Sequence, residues 1–470
     1  MRRITSLDFA RGLAVMGMTL FHGFFNSWDF FGTGDLGSLT WQLPFAFLFF
    51  IFGHWRGFFI MISAAVHTYV MAKRLKEGNN RLSIMLKNIF AGFVLWGIGT
   101  LYNAIFNTFG IIDTWHRTHG TWNWQIATDF VFFVEALQDI AFSIIIASII
   151  FYFISRKDGM KKLLRNSIIF SILGLIIIFV APFVQQGINQ AIGIEYQPGV
   201  LVDFRTDAGP PYLQPNPHPF ARYWLIFFGG REAPIFPMLA PGLVGIIIGM
   251  WLAQDKPSKK FLKVGYWTSL GLFLLGGLWF VLVDSKLFTV SLFSTGPNNS
   301  GVLVFQHVHP TWFMLSNTGL ELAALLFLIH KVEFNPKLKV DKWLRRSRFV
   351  RRWGIVALTV YMSQVLIFIP EKVLNIIAAA GGFSWEYVTR YQMPFLNAAL
   401  LSVVFFIAAD IVIRIWDKLR FIGTWEWLFA YINLIVGRRK INHLDPIRTR
   451  GIVYDVEPVM FVDVMVKAKK

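Results

Sequence analysis

Long apolar runs separated by polar connections constrain the fold of this chain more than any other feature of its sequence. A helix needs about 20 apolar residues to cross the roughly 30 Å hydrocarbon core of a bilayer. The candidate runs are 8–31, 43–73, 84–107, 129–154, 167–183, 235–253, 264–283, 310–330, 354–370 and 393–416. They predict an all-α polytopic membrane protein, a bundle of about ten transmembrane helices.

Three segments depart from a simple span. The second run is too long for one helix, so Trp41–Gly53 is predicted to be a separate interfacial or re-entrant piece. The fifth run is short, and we expect Pro182 to end it because proline lacks the amide that continues a helix. Thr424–Val436 would fit an eleventh span, but its length and basic ends favour an interfacial C-terminal helix.

The distribution of basic residues predicts the orientation of the chain. It carries 45 Lys and Arg against 27 Asp and Glu, which gives a net charge of +18. The basic residues cluster in every second connection, as the positive-inside rule requires, and this pattern argues against a nucleic-acid partner. We therefore predict a multi-pass protein of the cell membrane with both termini in the cytosol.

The apolar runs leave little room for a soluble domain. Residues 1–437 are predicted to form one membrane domain with long outer loops at 184–222 and 284–310, followed by a basic cytosolic tail at 438–470. The chain contains no cysteine, which excludes disulfides, thiolate catalysis and cysteine-ligated metal. The histidines show no converging set of three or four ligands, so no metal is expected.

The first apolar run carries ionisable residues on one face. His22 follows Arg11 by eleven positions, and eleven steps of about 100° return to nearly the same side of a helix. Asp8 lies on the same stripe, and the helical rise puts His22 roughly 16 Å deeper than Arg11. Ionisable residues within a membrane are costly and indicate function by default. The stripe predicts a buried route from the membrane edge to a reactive centre.

Each residue of this stripe also has a purely structural alternative. A neutral imidazole at His22 can accept a proton from a hydroxyl or an amine, but a histidine that packs against another helix fits its position equally well. Arg11 carries the paired donors that bind phosphate, although a snorkelling arginine is the better interpretation of this residue alone. Asp8 can hold Arg11 across one turn or simply begin the helix.

Further ionisable residues lie within later runs. Arg56 and His67 repeat the eleven-residue spacing on a helix of opposite direction; the repeat is interpreted as coincidence, although both residues can still line the cavity. Glu135 and Asp139 share one face of the fourth run, where they can pair with a cation, carry protons or make interhelical contacts.

The segment Arg3–Ala14, continued to His22, resembles the opening of membrane-bound acyltransferases. The relatives are the acyltransferase-3 family and the heparan-alpha-glucosaminide N-acetyltransferase family, with their unassigned bacterial and archaeal cousins. Weaker echoes follow at Arg56–Ala64, Leu137–Ala141, Pro234–Gly249, Leu358–Gln364 and Gly423–Leu428. Ala64 stands where the family usually has glycine, and the basic residue expected near Asp139 is missing.

The resemblance implies a membrane-bound O- or N-acyltransferase. It implies transfer of an acyl group, usually from acetyl-CoA in the cytosol, to a hydroxyl or amine of a cell-envelope glycan or glycolipid. By the same resemblance His22 is the base or acyl-handling residue and Arg11 engages the donor. From their positions we add Asp8 to the catalytic set, and Arg56, His67 and Glu135 to the donor-binding set.

Two other functions fit the sequence. A proton-coupled transporter or exporter would use His22, Glu135 and Asp139 as its relay, although no pair of inverted halves is evident. A non-catalytic membrane scaffold would have a tightly packed apolar stripe between Arg11 and His22. The oligomeric state is open, with a homodimer as one option.

Overall fold

The described residues form an almost wholly helical protein. The computed structural model describes residues 2–25, 55–105, 136–156, 159, 162–191, 224, 227–228, 235–284, 290–291, 302–303, 311–363, 395–436 and 457–461. The helices are α1 Thr5–Phe25, α2 Arg56–Lys76, α3 Arg81–Ile105, α4 Ala136–Ile154, α5 Leu163–Ala191, α6 Ile235–Leu252, α7 Lys259–Trp279, α8 Thr311–Val332, α9 Val340–Ile355, α10 Ala357–Met362, α11 Phe395–Lys418 and α12 Trp425–Val436. A π-helical segment, Phe280–Asp284, extends α7.

Eight helices within the described residues are long and apolar enough to cross a membrane, namely α2 to α8 and α11. Their outer faces are apolar as well. Only 11% of the most apolar stretch of α7 is buried, and this helix exposes Trp267, Leu274 and Leu278. Exposed apolar surface of this extent indicates contact with lipid. The predicted all-α polytopic membrane protein is confirmed at this level.

The structure corrects one boundary and leaves others open. Pro182 does not end the fifth span, because α5 continues through it to Ala191. A proline removes one backbone hydrogen bond, and membrane helices tolerate that loss where neighbouring groups compensate. The first run forms α1, which is not among the eight, so its spanning role stays a prediction. Trp41–Gly53 lies outside the described residues.

The connections that follow α2, α4, α6 and α8 lie together at one end of the bundle, called here the basic end. Lys76 at the end of α2 donates to the carbonyl oxygen of Ala253 after α6, at 2.7 Å. Trp251 stacks on Phe261 and on Phe334, with ring centroids 4.6 and 5.3 Å away, and so joins α6, α7 and the segment after α8. The clustering that the charge pattern predicted for these connections is therefore present in the fold.

Two short strands that are far apart in the sequence meet at the basic end. Strand β1, Arg2–Arg3, pairs in parallel with β4, Glu457–Pro458. Phe461 donates its backbone N–H to the carbonyl oxygen of Glu333 at 3.0 Å, which ties the same segment to the end of α8. Part of the predicted tail 438–470 thus packs against the membrane domain. In the predicted outer loop 284–310, β2 Val290–Ser291 pairs antiparallel with β3 Val302–Leu303.

Helix α9 occupies a segment that was expected to be a basic connection. It crosses α1 at backbone contact, because a Cβ at Gly12 would lie 2.7 Å from the carbonyl carbon of Val350. A Cβ at Gly354 would likewise lie 2.7 Å from the carbonyl oxygen of Asp8. Trp343 adds a hydrogen bond from its indole N–H to Thr5 Oγ1 at 3.1 Å. Helix α9 thereby fixes the basic half of α1.

Gly12→Ala is expected to destabilise the protein, because the new methyl group meets backbone atoms of Val350 that move only if α9 moves. Overpacking of this kind costs about 1–3 kcal/mol. Gly17→Ala is the matched control on the same helix, since a Cβ there would meet nothing closer than the Phe21 ring at 3.8 Å. Thermal unfolding in detergent should show a lower transition temperature for Gly12→Ala alone. An equal drop in both variants would contradict the close crossing.

Candidate functional site

Helix α1 carries the centre of the predicted site. It runs without a break from Thr5 to Phe25, so Asp8, Arg11 and His22 lie on one helix as predicted. Arg11 and His22 lie about 16 Å apart along its axis. Asp8 and His22 are separated by about 21 Å of the same axis, so α1 does not bring these two predicted catalytic residues together.

Acidic side chains hold the first turns of α1. Asp8 is buried, and its Oδ1 lies 2.8 Å from Arg3 Nη2 and 3.8 Å from Arg11 Nη2. Glu333, which follows α8, accepts the backbone N–H of Ser6 through Oε1 at 2.9 Å. Amides in the first turn of a helix lack internal partners, and acidic groups there are favoured by the helix dipole. These contacts fix the position from which Arg11 projects.

Arg11 keeps unused hydrogen-bonding capacity. Its side chain is 33% exposed, whereas its Nε is buried and has no hydrogen-bond partner among the described residues. The ion pair between Arg11 and Asp8 is 1 Å longer than the one between Arg3 and Asp8, at 3.8 against 2.8 Å. A guanidinium group binds phosphate or carboxylate with paired donors. Arg11 is therefore available to an incoming anion.

The structure brings two of the predicted donor-binding residues together. Arg11 on α1 and His67 on α2 lie on helices that pack together, and the positive charges of Arg11 and Arg74 both act on the His67 imidazole. Arg56 is not part of this group, because it begins α2 about 16 Å along the helix from His67. Glu135 lies outside the described residues. The described part of the predicted donor site thus consists of Arg11 and His67.

Glu426 belongs to the same neighbourhood but was assigned no role from the sequence. Its charge interacts with Arg11, and its carboxylate accepts hydrogen bonds from the backbone N–H groups of Leu358 and Thr359 and from Thr359 Oγ1 at 2.6 Å. The helical path breaks at Val356, which leaves the first amides of α10 in need of an acceptor. A single acidic residue at the start of the apolar segment Trp425–Val436 was the available signal.

Further buried acids lie within the bundle. Asp139 on α4 and Glu321 on α8 are both 0% exposed. Glu321 Oε1 accepts a hydrogen bond from Asn317 Nδ2 at 3.0 Å. Both residues lie on helices other than α1 and α2, which carry Arg11 and His67.

No model of a known protein family matches this chain, and no curated protein matches it either. The resemblance to membrane acyltransferases therefore stays a prediction. Among the described residues, no group of three or more His, Asp or Glu side chains is placed to hold a metal ion. The expected absence of a metal is likewise still a prediction, because many residues of the predicted outer loops are not described.

The titration of Glu333 at the basic end makes the stability of the protein depend on pH. Burial raises the pKa of its carboxyl group to about 8; hydrogen bonds from Ser6 oppose this shift, and the nearby charge of Asp8 adds to it. The group holds its proton more tightly in the folded protein than in the unfolded chain. Its contribution to stability is therefore complete below the unfolded pKa of about 4.3 and is lost as the pH rises through about 8.

Glu333→Gln is expected to flatten the pH dependence of unfolding between about pH 5 and about pH 8, because the amide keeps an acceptor for Ser6 and does not ionise. The measurement is the thermal unfolding temperature across that pH range. Asp341→Asn, which removes an exposed acid at the start of α9, is the control. An unchanged slope in Glu333→Gln would exclude Glu333 as the titrating group.

Proposed function

We propose that this chain is an integral membrane acyltransferase. It would transfer an acyl group, acetyl in the first instance, from a cytosolic CoA thioester to a hydroxyl or amine of a cell-envelope glycan or glycolipid. The observation that carries the proposal is Arg11, on the same continuous helix as His22. Its guanidinium group is partly exposed, and its buried Nε has no hydrogen-bond partner in the part of the chain that the structure describes. This arrangement suits a donor that binds by its phosphates and reacts at its distant end.

The charge of the basic end supports entry of the donor there. The positive-inside rule assigns this end to the cytosol, where acyl-CoA is made. Positive potential around the connections would attract the CoA phosphates, and Arg11 with His67 would bind them. The thin, uncharged pantetheine arm would then follow α1 toward His22. Asp8 holds Arg11 in this scheme and does not react, because it lies about 21 Å from His22.

The chemistry needs one base at the thioester. Neutral His22 would take the proton of the acceptor hydroxyl or amine as its oxygen or nitrogen attacks the thioester carbonyl. The tetrahedral intermediate would then collapse with cleavage of the carbon–sulfur bond. The imidazolium would return its proton to the CoA thiolate, so that free CoA and the acylated acceptor leave and His22 is neutral again.

His22→Ala is expected to abolish acyl transfer without loss of folding, since it removes the base and leaves the basic end intact. The assay follows radiolabelled acetyl-CoA into the envelope glycans and lipids of membrane vesicles. Release of CoA can be measured with a thiol reagent on the purified protein, because the chain itself contains no cysteine. Full transfer by a folded His22→Ala protein would overturn the catalytic role.

Arg11→Gln is expected to weaken donor binding by roughly tenfold or more, because a hydrogen bond to a charged group contributes about 1.5–3 kcal/mol. Binding is measured from the thermal shift caused by CoA. Arg345→Gln is the matched control, since it removes one positive charge from the exposed face of α9. Equal weakening in both variants would show that CoA binding depends on the overall positive potential of the basic end and not on Arg11 in particular. No shift with wild-type protein at millimolar CoA would contradict the donor site.

The rival function is proton-coupled transport, and the burial of Asp139 within α4 favours it over a passive scaffold. Reconstituted vesicles distinguish the two functions. Solute movement driven by a pH gradient, without consumption of acetyl-CoA, would support transport and exclude the acyltransferase. Release of CoA only in the presence of an acceptor would support acyl transfer.

A further inference from the structure

Glu321 is a carboxyl group held in the interior of the bundle with little to stabilise a charge. It is 0% exposed and lies about 16 Å along α8 from the basic end of that helix. Asn317 Nδ2 donates to its Oε1 at 3.0 Å, and the amide of Phe58 faces the carboxyl group from the first turn of α2. Its Oε2 is buried with no hydrogen-bond partner among the described residues.

The carboxyl group fills a notch between two other helices. A Cβ at Gly57 would lie 2.7 Å from Oε2 and 2.8 Å from Oε1, so the group fits only because α2 has glycine there. The same Cβ would lie 3.0 Å from Pro241 Cγ on α6. Proline has no amide hydrogen, so α6 presents no backbone donor at this residue.

The charged groups around Glu321 do not neutralise it. No cation of the described residues forms an ion pair with it. The helices packed against α8 are α1, α2, α5, α6 and α7, and α6 has no titratable residue. The others carry Asp8, Arg11 and His22 on α1; Arg56, His67, Tyr69, Lys73, Arg74 and Lys76 on α2; Arg165 on α5; and Lys259, Lys260, Lys263 and Tyr266 on α7. The π-helical segment Phe280–Asp284, which also packs on α8, carries Asp284, and α8 itself carries His330 and Lys331 in its last turn. Those of α5 and α7 lie in the first turns, at the basic end.

We propose that Glu321 is a proton-binding site within the membrane domain, a carboxylic acid that is protonated at neutral pH and exchanges its proton with the solvent. An ionised carboxylate at this depth would need more donors than one amide side chain and one helix turn provide. Protonation removes the negative charge of Glu321, so that the buried Oε2 is part of a neutral carboxylic acid. This inference goes beyond the proposed acyl transfer and does not depend on it.

The position of Glu321 gives its proton a structural effect. The neutral acid allows α8 to pack on the first turn of α2 at Gly57. Loss of the proton would place a negative charge in that notch and weaken the packing. Helix α2 carries His67, and the residue after α8 is Glu333, which binds the start of α1. Protonation or deprotonation of Glu321 would therefore affect both the helix that carries His67 and the residue that binds the start of α1.

The test uses dicyclohexylcarbodiimide, an apolar reagent that modifies protonated carboxyl groups in apolar surroundings. The full-length protein in lipid nanodiscs is treated at mildly acidic, neutral and alkaline pH, and the modified peptides are identified by mass spectrometry. Glu321 is expected to be modified, with less modification as the pH rises, and the modification should be lost in Glu321→Gln. Asp410 is the internal control, because it pairs with Arg414 at 2.6 Å and should stay unmodified.

Infrared spectroscopy supplies a second measurement that does not require access by a reagent. The infrared spectrum of the wild type should contain a protonated-carboxyl carbonyl band that is lost in Glu321→Gln, whereas the contribution of Glu333, whose pKa is raised to about 8, should remain. Glu321→Gln should also fold with an unchanged or higher unfolding temperature, because it replaces one neutral group by another of the same shape. If that variant does not fold, Glu321→Asp should shift the band. Absence of both the band and the modification in folded wild-type protein would overturn the proposal.

His22→Ala is the control that separates this proposal from the proposed acyl transfer. It should leave both the band and the modification unchanged, even if it abolishes acyl transfer.

Discussion

The backbone contact between α1 and α9 is the constraint on which the candidate site depends. Gly12 and Gly354 let two helices meet where any larger residue would separate them. The start of α1 is then surrounded by α9, by the end of α8 and by the strand pair of the two chain ends. Arg11 lies one turn after Asp8 on α1. The backbone position from which its side chain projects is therefore fixed by these packed elements.

Charge is distributed unevenly along this frame. Near the basic end, Asp8, Asp410 and Asp417 each have an arginine within ion-pair distance, so buried negative charge is matched there. Deeper in the bundle, Glu321 has only neutral neighbours in hydrogen-bonding contact. A buried charge must be paired or removed by protonation. Ion pairs thus neutralise Asp8, Asp410 and Asp417, whereas a bound proton neutralises Glu333 below about pH 8 and, by our proposal, Glu321.

The sequence was informative where a periodic or compositional rule applies. Apolar run length located the helices from α2 to α8 and α11, and the spacing of Arg11 and His22 placed them on one helix. The concentration of basic residues in every second connection correctly predicted that these connections lie at the same end of the bundle. Helix α9 was missed because its six Lys and Arg residues dominated its composition and concealed the small and apolar residues that face α1. Glu426 was missed because its partners, Leu358 and Thr359, are remote in sequence and no local pattern reports such a contact.

The pairing of Arg2–Arg3 with Glu457–Pro458 has a consequence for the order of assembly. In a chain inserted into the membrane during synthesis, β1 leaves the ribosome long before β4 is made. The start of α1 can then adopt a helix early, but β1 has no partner until Glu457 and Pro458 have been made. Contacts between the most distant parts of a chain also form slowly, because the closing loop is longest. The basic end therefore reaches its final shape only after β4 has been made and has paired with β1.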